Sequence, residues 1–380
     1  MTVTVGVLKE TATGECRVAL VPEVAAKFIA AGARILMQRD AGVLAQFPDA
    51  SFKTLPDQQS IEITDSASDV LGRADIVLKV QPPTLEEVAQ MKAGSTLVSF
   101  VYGHLRLEVV KALRDKQITT LATELVPRIS RAQSMDALSS QAAAAGYKAV
   151  LIAANTMDKF LPMLTTAAGT IRPAQVLIIG VGVAGLQAIA TAKRLGAIVE
   201  AYDVRSATKE QVKSLGAKFV ETGVSADGQG GYARELTQEE KDQQQAVLEK
   251  RIAAADAVIT TAAIPGRPAP RLIRKEAVYG MKPGAVIVDI AAETGGNCEL
   301  TQPGETVLIN GVKVVGPLNL ASSLSYHASE MYSRNLYNLV KPALDKGVFN
   351  IDWTDEVFIG TALTHAGVIR HEATRKLIDG

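Results

Sequence analysis

The sequence is poor in cysteine and histidine, and it carries no net charge. Cys16 and Cys298 are its two cysteines. Two thiols without C-x-x-C spacing build neither a disulfide framework nor a zinc site, and they suit a reducing compartment. His327, His365 and His371 show no metal-ligand spacing, so no metal is expected. Forty Lys and Arg balance forty Asp and Glu, with no long basic stretch. Nucleic acid and anionic membrane surfaces are therefore poor partners for this chain. No uninterrupted apolar run approaches about 20 residues, so no membrane span is expected. The N-terminus, MTVTVGVLKE, lacks a basic region followed by an apolar one, and no secretory leader is expected.

What is present is the composition of an ordinary α/β protein, 47% hydrophobic and 21% charged over 380 residues. That length makes two domains the natural expectation. The chain is organised around VLIIGVGVAGLQAIATAKRLGAIVEAYD, residues 176–203. An apolar run reads as a buried parallel strand, and Gly180, Gly182 and Gly185 then form G-x-G-x-x-G. A helix follows to Gly196, and a second strand ends at Asp203, about 20 residues beyond the glycines. Gly180 permits the tight turn, Gly182 lets a pyrophosphate approach the backbone, and Gly185 lets helix and strand pack closely. The helix N-terminus offers free N–H groups to phosphates. A carboxylate at Asp203 would accept hydrogen bonds from ribose hydroxyls and repel a 2′-phosphate, favouring NAD(H) over NADP(H). Val183 and Val204 flank these positions and join the candidate cofactor-binding residues.

Before this stretch, TVTVGVLK, ARILMQRDAG, ADIVLKV, STLVSFVYGHL and ITTLATELV read as strands, separated by helices such as PEVAAKFIAAG and LRLEVVKALRDKQ. Alternation of this kind implies a doubly wound parallel sheet, here without a glycine fingerprint. QAAAAGYKAVLIAANTMDKFLP reads as a long bridging helix, which puts a boundary near residue 138. The expected fold is α/β: two Rossmann-like doubly wound parallel-sheet domains with an interdomain cleft. The first comprises residues 1–138 plus about 330–380, and the NAD(H)-binding domain residues 139–329. Within the latter, TGVSADGQGGYAREL is glycine-rich, with Tyr232 its one aromatic. A charged helix spans Thr237–Ala255, and VLINGVKVVG reads as a hairpin turning on Asn310-Gly311. Residues 323–346 read as a helix and EVFIGTAL as a short strand.

Several polar clusters admit a functional and a plain reading. Arg128, Arg131, Gln133, Asp136 and Ser139 crowd donors and acceptors that could serve a nicotinamide, or a solvated loop with a helix N-cap. Arg17 and Lys79 stand near strand ends and could hold a substrate carboxylate, with His104 as acid or base, or all three could be surface charges. Asp289 and Glu293, in DIAAETGGNCE, could be catalytic or could cap loops. TTAAIPGRPAP is a proline-stiffened loop expected over the cofactor, with Ala263, Ile264 and Gly266 as candidate contacts.

Together, PRISRAQSMDALSSQ, GVGVAGLQAIATAKRLGA, TKEQVKSLGAKF, GGYAREL, IPGRPAP and DIAAETGGNCE resemble the NAD(H)-binding component of proton-translocating nicotinamide nucleotide transhydrogenase (domain I, the soluble part of the alpha subunit). Alanine dehydrogenase is its sister family. The resemblance implies direct hydride transfer between NADH and NADP⁺ held by a separate NADP(H)-binding component. Proton translocation would belong to a membrane-spanning component. It implies a homodimer, peripheral on the cytoplasmic side of the inner (cell) membrane. Arg128, Gln133, Asp136 and Ser139 then map to the loop beside the nicotinamide, the first three as catalytic residues. Tyr232 maps to a mobile loop that closes over nucleotide. The alternative is NAD-dependent oxidative deamination of L-alanine, for which Arg17, Lys79 and His104 match in type. That family uses an aspartate where this chain has Glu293, and one extra methylene would misplace the carboxylate by about an ångström.

Overall fold

Short β-rich apolar runs become strands, and amphipathic segments between them become helices. The computed structural model describes residues 2–224, 236–263 and 268–380. The chain forms two units, Met1–Gln141 with Ser322–Gly380, and Ala142–Ala321.

The first unit opens with six parallel strands: β1 (Thr4–Val7), β2 (Arg34–Gln38), β3 (Ile61–Thr64), β4 (Ile76–Leu78), β5 (Thr96–Ser99) and β6 (Thr119–Ala122). Their order is β6-β5-β4-β1-β2-β3, which reverses direction between β1 and β4. Val5, Val7, Ile76, Leu78, Val98 and Leu121 are buried, because helices cover both faces of a parallel sheet. β3, the edge strand IEIT, escapes sequence reading because Glu62 and its half-buried neighbours give it no apolar run. The long helix spans Ala137–Thr156, four residues earlier than QAAAAG suggests.

The second unit carries an exposed hairpin, β7 (Leu164–Thr166) with β8 (Gly169–Ile171). Its main sheet contains β9 (Gln175–Ile179), β10 (Ile198–Tyr202), β11 (Lys218–Phe219), β12 (Ala257–Thr260), β13 (Val286–Asp289), β14 (Thr306–Ile309) and β15 (Val312–Val315). The order is β11-β10-β9-β12-β13-β15-β14, with only β14 antiparallel. Asn310 and Gly311 have φ of 48° and 79°, as a type I′ turn requires at both central positions. Strand order reverses between β9 and β12, the place where open α/β sheets hold ligands beyond the strands' carboxyl ends.

The chain then rejoins the first unit through the Ser325–Val340 helix. A small hairpin follows, β16 (Leu344–Asp345) with β17 (Val348–Phe349). β18 (Ala362–His365) and β19 (Val368–Ile369) extend the first sheet antiparallel beyond β6. EVFIGTAL is thus not a strand throughout: Glu356–Thr361 is helical, and β18 starts at Ala362. Asp355 capping explains the difference, since its Oδ1 accepts the Val357 N–H at 2.7 Å. Among the described residues no helix is long and apolar enough to cross a membrane.

Candidate functional site

Two of the three fingerprint glycines, Gly180 and Gly185, have a steric reason within the fold. Gly180 turns the chain out of β9 with φ of 92°, a conformation that L side chains rarely adopt. A Cβ on Gly185 would lie 1.9 Å from the Gly180 carbonyl oxygen, so only glycine lets the Val183–Arg194 helix pack on the turn. Gly182 differs, because among the described residues a Cβ there would meet nothing within 4 Å. None of the described residues gives a steric reason for glycine at this position, and the open space lies at the N-cap of the helix. Among the described residues no side chain caps that end, and the first intrahelical bond runs from the Leu186 N–H to the Gly182 carbonyl. The N–H groups of the first turn therefore point outward without intrahelical acceptors. An uncapped N-terminus with bare space before it fits a pyrophosphate. Val183, also exposed, borders the same space.

Asp203 stands at the end of β10 but is only 8% exposed. Its Oδ2 accepts the Val181 N–H at 2.7 Å, which ties it to the glycine turn. Arg205 covers the rest of the carboxylate: Nε reaches Oδ1 and Nη2 reaches Oδ2, both at 2.8 Å, and the Arg205 backbone N–H also donates to Oδ1. The Asp203 carboxylate is therefore ion-paired within the site, and Arg205 is a site residue that sequence reasoning missed. Its signal is an arginine two residues beyond the acidic end of the strand. Val204, between them, is half-buried.

The polar loop folds as a 3₁₀ turn, Ser130–Met135, leading into the long helix. Asp136 caps that helix: Oδ1 accepts the Ser139 N–H at 2.9 Å and Oδ2 the Ser139 hydroxyl at 2.6 Å. The capping reading of Asp136 and Ser139 is therefore realised. Arg128 and Gln133 are exposed on the same loop. Arg131 is engaged elsewhere, with Nη1 donating to Asp355 Oδ2 at 2.9 Å. Two residues that sequence reasoning missed hold the turn: Asn335 and Asn338 both donate to the Ser134 carbonyl, at 2.9 and 3.1 Å. Nothing local signals them, since they lie some two hundred residues away in sequence.

The other switch point, beyond β1 and β4, carries a buried charged cluster. Arg17 forks onto Glu15 (Nε to Oε1, 2.8 Å; Nη2 to Oε2, 2.6 Å) and reaches Gln141 at 2.8 Å. Lys79 donates to Glu87 at 2.8 Å and lies 3.6 Å from Glu10. Both cations are thus buried against acids of the same unit, not surface charges. Burial pushes the Glu10 carboxyl above its usual range, despite the pull of Lys79. His104 is half-buried, near His371, whose own pKa is lowered by burial and by His104.

In DIAAETGGNCE, Asp289 is fully buried, and its oxygens accept from Ala291 N, Cys298 N and Thr301 Oγ1. Glu293 is exposed and accepts the Asn319 N–H. Both carboxylates hold loops. Ala263 is exposed at the end of the described part of its loop. Tyr232, Ile264 and Gly266 lie outside the described residues. Among the described residues, no three His, Cys, Asp or Glu side chains gather as metal ligands would.

The chain matches the family "Alanine dehydrogenase/PNT" in two pieces, the N-terminal domain over residues 6–145 and the C-terminal domain over 149–372. It is 46% identical over 380 residues to the first part of the NAD(P) transhydrogenase alpha subunit of Rhodospirillum rubrum, covering 97% of this chain and 98% of that protein. It is 28% identical to an alanine dehydrogenase of Halomonas elongata, over 97% of this chain and 95% of the other. Its fold superposes on a transhydrogenase crystal structure from Sinorhizobium meliloti with a TM-score of 0.87 and 41% identity, covering 96% of this chain and 99% of that one.

Proposed function

The chain belongs to the alanine dehydrogenase/PNT family, and from that premise we propose that it is the NAD(H)-binding component of a proton-translocating, Re/Si-specific transhydrogenase. It passes hydride directly between NADH and NADP⁺ held by a partner component, while a membrane-spanning component carries the coupled proton. It works as a homodimer, peripheral on the cytoplasmic side of the inner membrane. The observation that carries this reading is the bare space at Gly182 before an uncapped helix, in a chain that matches a transhydrogenase subunit along nearly its whole length.

The bound nucleotide supplies the hydride. The C4–H bond of NADH breaks and the C4–H bond of NADPH forms, with two electrons and one proton moving together. No bond to oxygen or nitrogen changes, so the chain needs no acid or base. Its task is positioning and exclusion of water. Gly180, Gly182, Val183 and Gly185 would hold the pyrophosphate, and Asp203 with Val204 the adenosine ribose. Arg128, Gln133, Asp136 and Ser139 would orient the nicotinamide, with Tyr232, Ala263, Ile264 and Gly266 completing the enclosure. The internal pairing of Arg17 and Lys79 supports the same reading over amino-acid deamination, because both cations already have carboxylate partners.

A pair of assays tests the proposal. With the chain alone, L-alanine should not reduce NAD⁺. With an NADP(H)-binding component added, NADH should reduce an NADP⁺ analogue. Alanine-dependent reduction without hydride transfer to the analogue would overturn it in favour of alanine dehydrogenase.

A further inference from the structure

Asn297 is fully buried, yet its amide uses its whole hydrogen-bonding capacity. Oδ1 accepts from Thr260 Oγ1 at 2.6 Å and from the Ala262 N–H at 3.0 Å. Nδ2 donates to the carbonyls of Ala262 at 2.8 Å and Pro270 at 2.9 Å. The two carbonyls can only accept, so the amide has one satisfactory orientation. A single side chain thus pins the chain where it leaves β12 and again where it returns.

The departure point abuts the glycine turn. Thr261 Oγ1 donates to the Gly180 carbonyl at 2.9 Å, and Ala262 N lies 3.0 Å from where a Cβ on Gly180 would stand. Ala262 therefore has little room to move against the turn. We infer that Asn297 is a positioning residue of the nucleotide site. It holds Ala262, and with it the exposed Ala263, in register with Gly180, and this role rests on the nucleotide reading above. A comparable staple beside it supplies a natural control. Asp289 takes Cys298 N at 2.9 Å and Thr301 Oγ1 at 2.7 Å, and none of those bonds involves the glycine turn.

The test compares NADH dissociation constants, read from NADH fluorescence, with melting temperatures of the full-length chain. Asn297→Asp sets an acceptor against two carbonyls and should weaken NADH about tenfold or more, a difference of about 1.4 kcal/mol. Asn297→Ser, which removes the contact with less charge disturbance, should weaken it in the same direction and serves if the aspartate variant does not fold. Thr301→Val should lower the melting temperature while leaving NADH affinity within about twofold, under 0.5 kcal/mol. A purely structural role would lower stability in all three and affinity in none. Folded Asn297 variants that bind NADH like the wild type would overturn the inference and leave the nucleotide reading intact. A wild-type chain that does not bind NADH would instead sink the reading on which it rests.

Discussion

The Arg205 guanidinium lies across the Asp203 carboxylate, with Nε 2.8 Å from Oδ1 and Nη2 2.8 Å from Oδ2. A lone aspartate at the end of β10 would strongly repel a 2′-phosphate, whereas a paired one repels less, because the nearby cation offsets its charge. Arg205→Ala should therefore widen the preference for NADH over NADPH by about tenfold, or ~1.4 kcal/mol. NADH affinity itself should change little. Asp203→Asn should narrow the preference, since it leaves the guanidinium beside the ribose without its anion. Fluorescence titrations with both nucleotides measure the ratio. A ratio untouched by Arg205→Ala would mean that the pair does not face the 2′ position.

Two glycines of one motif should respond oppositely to the same substitution. Gly185→Ala drives a methyl to 1.9 Å from the Gly180 carbonyl, a clash with backbone that no rotamer relieves. It should cost about 3 kcal/mol of stability or prevent folding. Gly182→Ala adds a methyl in open space at φ of −82°. The melting temperature should hold, while NADH affinity falls about tenfold or more, ~1.4 kcal/mol. Normal NADH binding by Gly182→Ala would remove the open space from the site.

Gly180 and Gly185 were legible because each answers a local steric demand that the sequence must meet within a few residues, and Gly182 because a pyrophosphate asks for the same spacing. The strands β9 and β10 were legible for a similar reason, as buried apolar runs bounded by glycine and an acid. What escaped was set by distance or by competition. Asn335 and Asn338 reach the Ser134 carbonyl from a helix far along the chain, and no local pattern marks them. EVFIGTAL has strand composition, but the helix capped by Asp355 takes it as far as Thr361. Arg17 and Lys79 carry the residue types of a carboxylate site, yet Glu15, Glu10 and Glu87 already surround them. Residue type alone does not reveal whether a buried charge is free or spent.

The polar loop should separate into stability and positioning. Asp136→Ala removes the cap on Ser139 and should cost about 1 kcal/mol. Asp136→Ser restores a capping oxygen and should recover that stability without restoring the carboxylate. If the carboxylate also orients nicotinamide, Asp136→Ser remains slow in single-turnover hydride transfer at normal melting temperature. Gln133→Asn, on an exposed side chain, should slow the transfer while largely sparing NADH affinity. Wild-type single-turnover rates in both variants would reduce the loop to a structural turn.

Glu10 should give the stability of the chain a measurable pH dependence. It is buried beside Lys79, its Oε1 accepts the Val80 N–H at 2.6 Å, and its Oε2, 3.6 Å from Lys79 Nζ, has no hydrogen-bond partner among the described residues. Burial raises its pKa above the ordinary 4.5. In the folded chain Glu10 therefore keeps its proton at pH values where the unfolded chain has released it. The stabilisation is complete below pH 4.5 and is lost as pH rises through the raised folded value. Glu10→Gln keeps an oxygen for Val80 and cannot ionise, while Lys79 retains Glu87 at 2.8 Å. The variant should lose a slope of up to about 1.4 kcal/mol per pH unit above pH 4.5, and should exceed the wild type in stability at alkaline pH. Glu124, also raised by burial, contributes a slope of the same sign, so the variant's curve flattens without becoming level. Urea unfolding of both proteins across pH gives the two curves. If they run parallel, Glu10 titrates alike in the folded and unfolded chain, and its burial does not hold the proton.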